Sequence, residues 1–301
     1  MAGRERIGRS LTASALDALW SFSDPRTSEH RFRLFIRQVR ASTDPNLYAE
    51  ALTQVARAQG LQSKFRAAHR TLDSLVPLLP DLRPRTKTRY LLERGRVYNS
   101  GGAPGKSLPY FLAAWRSGRR QGEDALAVDA AHMVAIVKEG SAQRAWNARA
   151  LRLAEHSRNR RARRWRASLL NNIGWSQFDS GAYRDALQSF RRALRYRQQQ
   201  KDPAEKRIAR WCVAKALRLV GRTSDALRIQ RRLLAEWRRA RSRDGFVFEE
   251  LGECLLTLKR PREARRYFRM AYAELSNDPW IVTSEPKRLR RLLKLGDPGR
   301  R

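Results

Sequence analysis

The chain has 301 residues, 64 of them Lys or Arg and 29 Asp or Glu, for a formal net charge of +35 at pH 7. Hydrophobic residues make up 42%, and eight Trp, eight Tyr and ten Phe supply enough apolar matter for a core, which excludes a disordered polycation. Cys212 and Cys254 are the two cysteines, far apart and outside any C-x-x-C pattern, which excludes a disulfide scaffold and a thiolate metal cluster.

At the start of the chain, Met1 to Leu11 carries Arg4, Arg6 and Arg9 with no apolar stretch behind them, so a secretory leader is not expected. Glu5 and Asp17 count against a transit peptide, and the expected location is cytoplasmic. Residues 10–41 read as two helices, the second opened by Asp24-Pro25 and carrying Phe32, Phe35, Ile36 and Val39. Residues 1–45 are thus expected to form an N-terminal cap of two helices.

From residue 46 to 275 the sequence repeats itself. Leu170, Ile173 and Gly174, followed by Ala186-x3-Phe190-x2-Ala193, superimpose without a gap on Phe248, Leu251 and Gly252, followed by Ala264-x3-Phe268-x2-Ala271. Leu91, Gly95 and Tyr98 with Ser107-x3-Phe111-x2-Ala114 form an earlier copy, and Val213, Ala214 and Leu217 with Ala226-x3-Gln230-x2-Leu233 form an intervening one. Weaker copies centre on Ala56 with Ala68-x3-Leu72, and on Ala131 with Gln143-x3-Asn147. The small residue recurs at 56, 95, 131, 174, 214 and 252, in steps of 39, 36, 43, 40 and 38. Within each unit the apolar spacing is helical. Breakers divide the two runs: Gly60, Ser100-Gly101-Gly102, Gly140, Ser180-Gly181, Gly221 and Lys259-Arg260-Pro261. Each unit therefore reads as a hairpin of helix A and helix B. Beyond them, Glu285-Pro286 to Leu295 reads as a last amphipathic helix, so that 276–301 forms a C-terminal cap with a frayed basic tail from Gly296.

This registry resembles the tetratricopeptide repeat family, in which a small residue of helix A faces an Ala-x3-Phe spacing in helix B. The period of about 39 residues exceeds the usual 34, and the family's helix-ending Pro is mostly missing. HEAT repeats would suit the length, but their pattern does not predict the Gly and Ala-x3-Phe registry. The resemblance implies an all-α solenoid of six hairpins, wound as a right-handed superhelix with helical caps. It further implies a non-enzymatic scaffold, without cofactor, that holds a protein or peptide in extended conformation in a concave groove.

In that family the groove is lined from helix A, by the residues two before and one after the small one. Here these are Gln54 and Arg57, Glu93 and Arg96, Asp129 and His132, Asn172 and Trp175, Cys212 and Lys215, and Glu250 and Glu253, with Asn171, Trp211, Arg218 and Glu249 beside them. The expected partner-binding set is Asp129, His132, Asn171, Asn172, Trp175, Trp211, Lys215, Arg218, Glu249, Glu250 and Glu253. Amides can meet peptide N–H and C=O, and indoles supply apolar area at low entropy cost. Chaperone-binding members hold a terminal carboxylate with Lys and Asn at set slots. Asn172 matches one slot, but Val128, His132, Ile208 and Cys212 stand where bases are needed, so a free acidic C-terminus is not the expected ligand. Glu249, Glu250 and Glu253 suggest a basic or polar segment instead.

Two further features bear on function. Ser100 to Ser107 resembles a phosphate-binding loop with its first Gly replaced by Ser100, yet a helix rather than a strand is expected before it, so an interhelical turn is the reading. His30, His69, His132 and His156 lack metal-ligand spacing, and no nucleophile, base and orienting group stand at a defined spacing. The Arg run Arg158, Arg160, Arg161, Arg163, Arg164 and Arg166, with Trp165 among them, gives an alternative: non-specific binding of RNA, DNA or anionic lipid by an Arg-rich convex surface. Helix B segments add to that field, with twenty bases against five acids over 181–201, 222–243 and 259–275.

Overall fold

What lies opposite its small residue sets the geometry of each hairpin. In the computed structural model, which describes residues 13–40 and 44–297, a Cβ atom at Gly95 would stand 2.5 Å from the Phe111 ring. At Gly174 it would stand 2.5 Å from Phe190, and at Gly252 2.7 Å from Phe268. The three rings are fully buried. Glycine lets helix A approach until the ring fills the crossing, at the close end of the ~8–10 Å separation of packed helices. Where the small residue is Ala56, Ala131 or Ala214, the residue in the Phe position is Leu72, Asn147 or Gln230, each buried. Side-chain volume on one helix thus tracks its absence on the other.

The chain is an all-α stack of tetratricopeptide-like hairpins that divides into two compact units at Trp165 and Arg166. The first unit holds α1 (Ala13–Ala18), α2 (Pro25–Arg40), α3 (Pro45–Leu61), α4 (Phe65–Asp73), a 3-10 helix (Val76–Asp81), α5 (Pro84–Ser100), α6 (Pro104–Arg120), α7 (Asp124–Val137), α8 (Gly140–His156) and α9 (Arg160–Arg164). The second holds α10 (Arg166–Asp179), α11 (Tyr183–Gln198), α12 (Pro203–Leu219), α13 (Thr223–Arg239), α14 (Gly245–Thr257), α15 (Pro261–Leu275), α16 (Pro279–Ser284) and α17 (Pro286–Gly296). Its core runs unbroken from Ala186 and Phe190 to Ile281 and Leu292. The break between units falls in the longest repeat step, where α9 is inserted.

Helix starts follow local chemistry. Asp44, Asp202 and Asp278 each accept two backbone N–H bonds from the first turn of the helix they precede, and each is followed by Pro at the first helical position. Turns inside the hairpins need a left-handed residue, supplied by Gly102, Gly181 and Gly221, and seven residues after Ala56 and Gly252 by Ser63 and Lys259. Gly60, expected to break the first hairpin, instead lies inside α3, and Ser63 makes the turn. At the end of the chain the difference is larger. Gly296 belongs to α17 and is buried beside Arg269 rather than frayed, and α16 is a helix that the repeat periodicity does not predict. The rest of the expected tail, 298–301, and residues 1–12 lie outside the described residues.

Gly174→Ala is expected to destabilise the protein. Overpacking at a filled crossing costs about 1–3 kcal/mol, which outweighs the ~1 kcal/mol that Ala gains over Gly in a helix. Denaturant unfolding should show Phe190→Leu recovering stability in the Gly174→Ala background. Gly105→Ala, with nothing within 4 Å of the added atom, should be neutral or stabilising.

Candidate functional site

Three pairs of consecutive A helices, α3 with α5, α5 with α7 and α12 with α14, are tied by one repeated bridge. The base one residue after the small position reaches the acid two residues before the next small position. Arg57 of α3 lies 3.6 Å from Glu93 of α5, Arg96 of α5 binds Asp129 of α7, and Lys215 of α12 lies 2.7 Å from Glu250 of α14. Arg96 also bonds Glu93 at 2.7 Å, and Arg218 holds Glu250 at 3.0 Å. These acids are buried, Glu250 completely. Burial pushes the Glu250 carboxyl up, but the Lys215 charge and the Arg218 hydrogen bonds outweigh it, and the group is held below its ordinary value. The same balance holds Asp129 down, with the Arg96 and Arg57 charges opposing burial, while the carboxylates around Arg96 raise its guanidinium further.

The expectation that both slots of helix A are displayed therefore needs correction. Glu93, Asp129, Cys212 and Glu250 are buried in the seam between neighbouring A helices and Gln54 is buried where it accepts the Trp20 indole N–H at 3.0 Å, while Arg57, Arg96, His132, Trp175, Lys215 and Glu253 remain partly exposed. The expected attraction of Glu249, Glu250 and Glu253 for a basic segment is corrected with it. Arg288 and Arg291 of α17 bind Glu249 and Glu253, and Lys215 with Arg218 neutralises Glu250. Arg288 and Arg291 stand one helical turn apart, as do Glu249 and Glu253, a complementary spacing that carried the missed signal.

In the second unit the A helices bring aromatic rings together. Trp175 of α10 lies 5.9 Å from Trp211 of α12, and Trp211 lies 6.0 Å from Phe246 of α14. The Trp211 indole donates to the Phe246 carbonyl at 3.1 Å, and the Lys215 ammonium stands 5.2 Å from the Trp211 ring and 5.8 Å from Phe178. All three rings of the row are half-buried. Asn171 accepts the Cys212 thiol at 3.5 Å, and Asn172 lies half-buried one residue on. Burial pushes the Cys212 and Cys254 thiols up to about 12, so neither is a nucleophile at neutral pH. Phe246 was missed because it stands at a different register from Trp175 and Trp211.

In the first unit His132 of α7 packs 5.1 Å from Trp165, and burial lowers its imidazole below the ordinary value. Trp165 is therefore half-buried against a neighbour rather than free to stack. Of the Arg run, Arg158, Arg160, Arg163 and Arg164 are exposed, Arg161 is paired with Asp17 at 2.7 Å, and Arg166, in the second unit, lies 4.2 Å over the Tyr196 ring. The resemblance to a phosphate loop dissolves into a hairpin turn, since α5 precedes it and buried Ser107 bonds Pro104 O at 2.7 Å in the first turn of α6. No helix among the described residues is long and apolar enough to cross a membrane.

Glu250→Gln leaves Lys215 and Arg218 without their buried carboxylate and should cost about 3 kcal/mol at neutral pH. Because the folded carboxyl titrates below its ordinary 4.5, its stabilisation is complete above that value and is lost as pH falls through the lower, folded one. Urea unfolding of both proteins should show their stability difference shrinking in acid. A difference that stays constant would contradict the bridge.

No family model matches the sequence, and no curated protein is significantly similar to it. Solved structures do match. The apo form of RapI has TM-score 0.73 at 10% identity, over 96% of this chain and 82% of that one. The apo form of the quorum sensor NprR from B. thuringiensis has TM-score 0.65 at 16% identity, over 95% and 80%. NprR in complex with its cognate peptide NprX has TM-score 0.53 at 18% identity, over 99% and 86%. With six hairpins, the Gly–Phe crossings and these likenesses, the chain is a tetratricopeptide-type repeat protein in fold, in a variant with a period near 39 residues.

Proposed function

We propose that the chain is a non-enzymatic scaffold that holds a protein or peptide segment in extended conformation along the groove side of its A helices. The observation that carries this reading is the row Trp175, Trp211 and Phe246, with Lys215 beside it. Half-buried rings on consecutive helices offer large, stiff apolar area to a strand-like ligand, and such rings are the commonest anchors of binding energy. Asn171 and Asn172 stand beside the row as partners for a peptide backbone, and Arg218, Glu249, Glu250 and Glu253 hold its helices in register. The complex of NprR with NprX supports the reading, because a protein of the same fold takes a peptide. Since the glutamates are already neutralised, the segment we infer carries apolar or aromatic side chains rather than a run of bases.

Four exposed Arg between Arg158 and Arg164 favour a second reading, in which polyanions bind with an affinity that falls steeply in salt. Peptide-display selection against the full chain separates the two. The first reading predicts convergent peptides whose affinity drops at least about tenfold, or ~1.4 kcal/mol, in Trp175→Ala or Trp211→Ala with helicity unchanged. No convergent peptide, together with salt-sensitive RNA binding that these variants leave intact, would transfer the function to the Arg surface.

A further inference from the structure

A cavity of about 470 Å³ opens in the first unit, with α5 and α7 on one side and α1 and α9 on the other. Four guanidinium groups line it, Arg85, Arg89, Arg160 and Arg161, against two carboxylates, Asp17 and Asp129, with the Trp165 indole as an apolar wall. Both carboxylates are engaged. Asp129 is bound by Arg96, and Asp17 lies 2.7 Å from Arg161 and 4.0 Å from Arg89.

The guanidinium groups are less fully used. Arg85 is held from behind the cavity wall by Glu123 and by Glu50 at 3.4 Å. Arg89 is only 9% exposed, yet its buried Nε makes no hydrogen bond and lies 3.6 Å from the Glu50 carboxylate. Arg160 is exposed, and no described carboxylate lies within ion-pair distance of it. A guanidinium carries five N–H donors and no acceptor, so what this cavity has unused is donor capacity. Planar guanidinium forks suit both carboxylate and phosphate. The volume falls in the range of small-molecule sites.

We propose that this cavity binds a small organic dianion, a phosphomonoester or a dicarboxylate. Its oxyanion is held by Arg89, Arg160 and Arg161, and its organic part lies against Trp165. Of the four lining guanidinium groups, Arg160 alone has no described carboxylate within ion-pair distance, and it supplies the positive charge that an incoming anion meets first. The site stands apart from the peptide reading, which rests on the aromatic row of the second unit.

Calorimetric titration of the full chain at physiological salt tests it, with AMP as the phosphomonoester, succinate as the dicarboxylate and adenosine as the uncharged control. Saturable binding of AMP or of succinate, at one site and without binding of adenosine, is expected, and whichever probe binds assigns the class. Arg160→Glu, at an exposed position, should weaken that binding at least about tenfold without lowering the melting temperature. Arg164→Glu, on the same short helix but outside the lining, should leave it nearly unchanged. The proposal is overturned if neither dianion saturates the protein up to about 10 mM, if adenosine binds equally well, or if both variants weaken binding alike, as a diffuse positive field would require.

Discussion

A phenylalanine ring laid across a glycine is the contact on which the rest of this structure depends. Phe111, Phe190 and Phe268 fill the crossings at Gly95, Gly174 and Gly252, and no Cβ fits between ring and backbone. That contact fixes how closely helix B lies on helix A, and so which face of helix A is left for the next repeat. The residues on either side of the small position are set by it. At Arg57, Arg96 and Lys215 the side chain one residue after it stays partly exposed, and at Glu93, Asp129 and Glu250 the side chain two residues before it turns into the seam with the preceding helix A. Arg57 and Glu93, Arg96 and Asp129, and Lys215 and Glu250 meet for that reason.

The charge of the chain follows the same geometry. Acids are scarce, 29 against 64 bases, and several of those on helix A are buried as bridges between repeats. Helix B carries Arg outward instead, as at Arg184, Arg191 and Arg195 on α11 and Arg262, Arg265, Arg266 and Arg269 on α15, all exposed. Neutralising the acids of the second unit has a functional side. In the reading we propose, Glu249, Glu250 and Glu253, once paired, no longer select a ligand by charge, and the aromatic row with its amides and Lys215 is what meets a partner. Buried bridges of this kind add little net stability but fix register, because only one pairing leaves no charge alone.

Much of this was legible in the sequence, for a physical reason. The Gly and Ala-x3-Phe registry reports a contact inside one hairpin, over a separation of 16 residues between Gly174 and Phe190, and local periodicity preserves it. The Asp-Pro starts are equally local, and Asp278-Pro279 marks the start of α16 with the same signal that Asp24-Pro25 gives for α2. What was not legible lies across repeats. Spacing told that Glu249 and Glu253 stand on helix A, but not that α17 would fold back to place Arg288 and Arg291 on them. The cavity beside α9 joins Asp17, Arg89 and Arg160 over most of the first unit, and no motif spans such distances.

The central claim is that the aromatic row of the second unit is a recognition surface and not merely packing. Indole N–H resonances report on it directly, because Trp175 and Trp211 belong to the row while Trp237 of helix B lies under Arg207. On titration with a peptide selected against the protein, the account predicts that the Trp175 and Trp211 signals shift and saturate together while Trp237 stays in place. Saturation of binding with the Trp175 and Trp211 signals unmoved would contradict it.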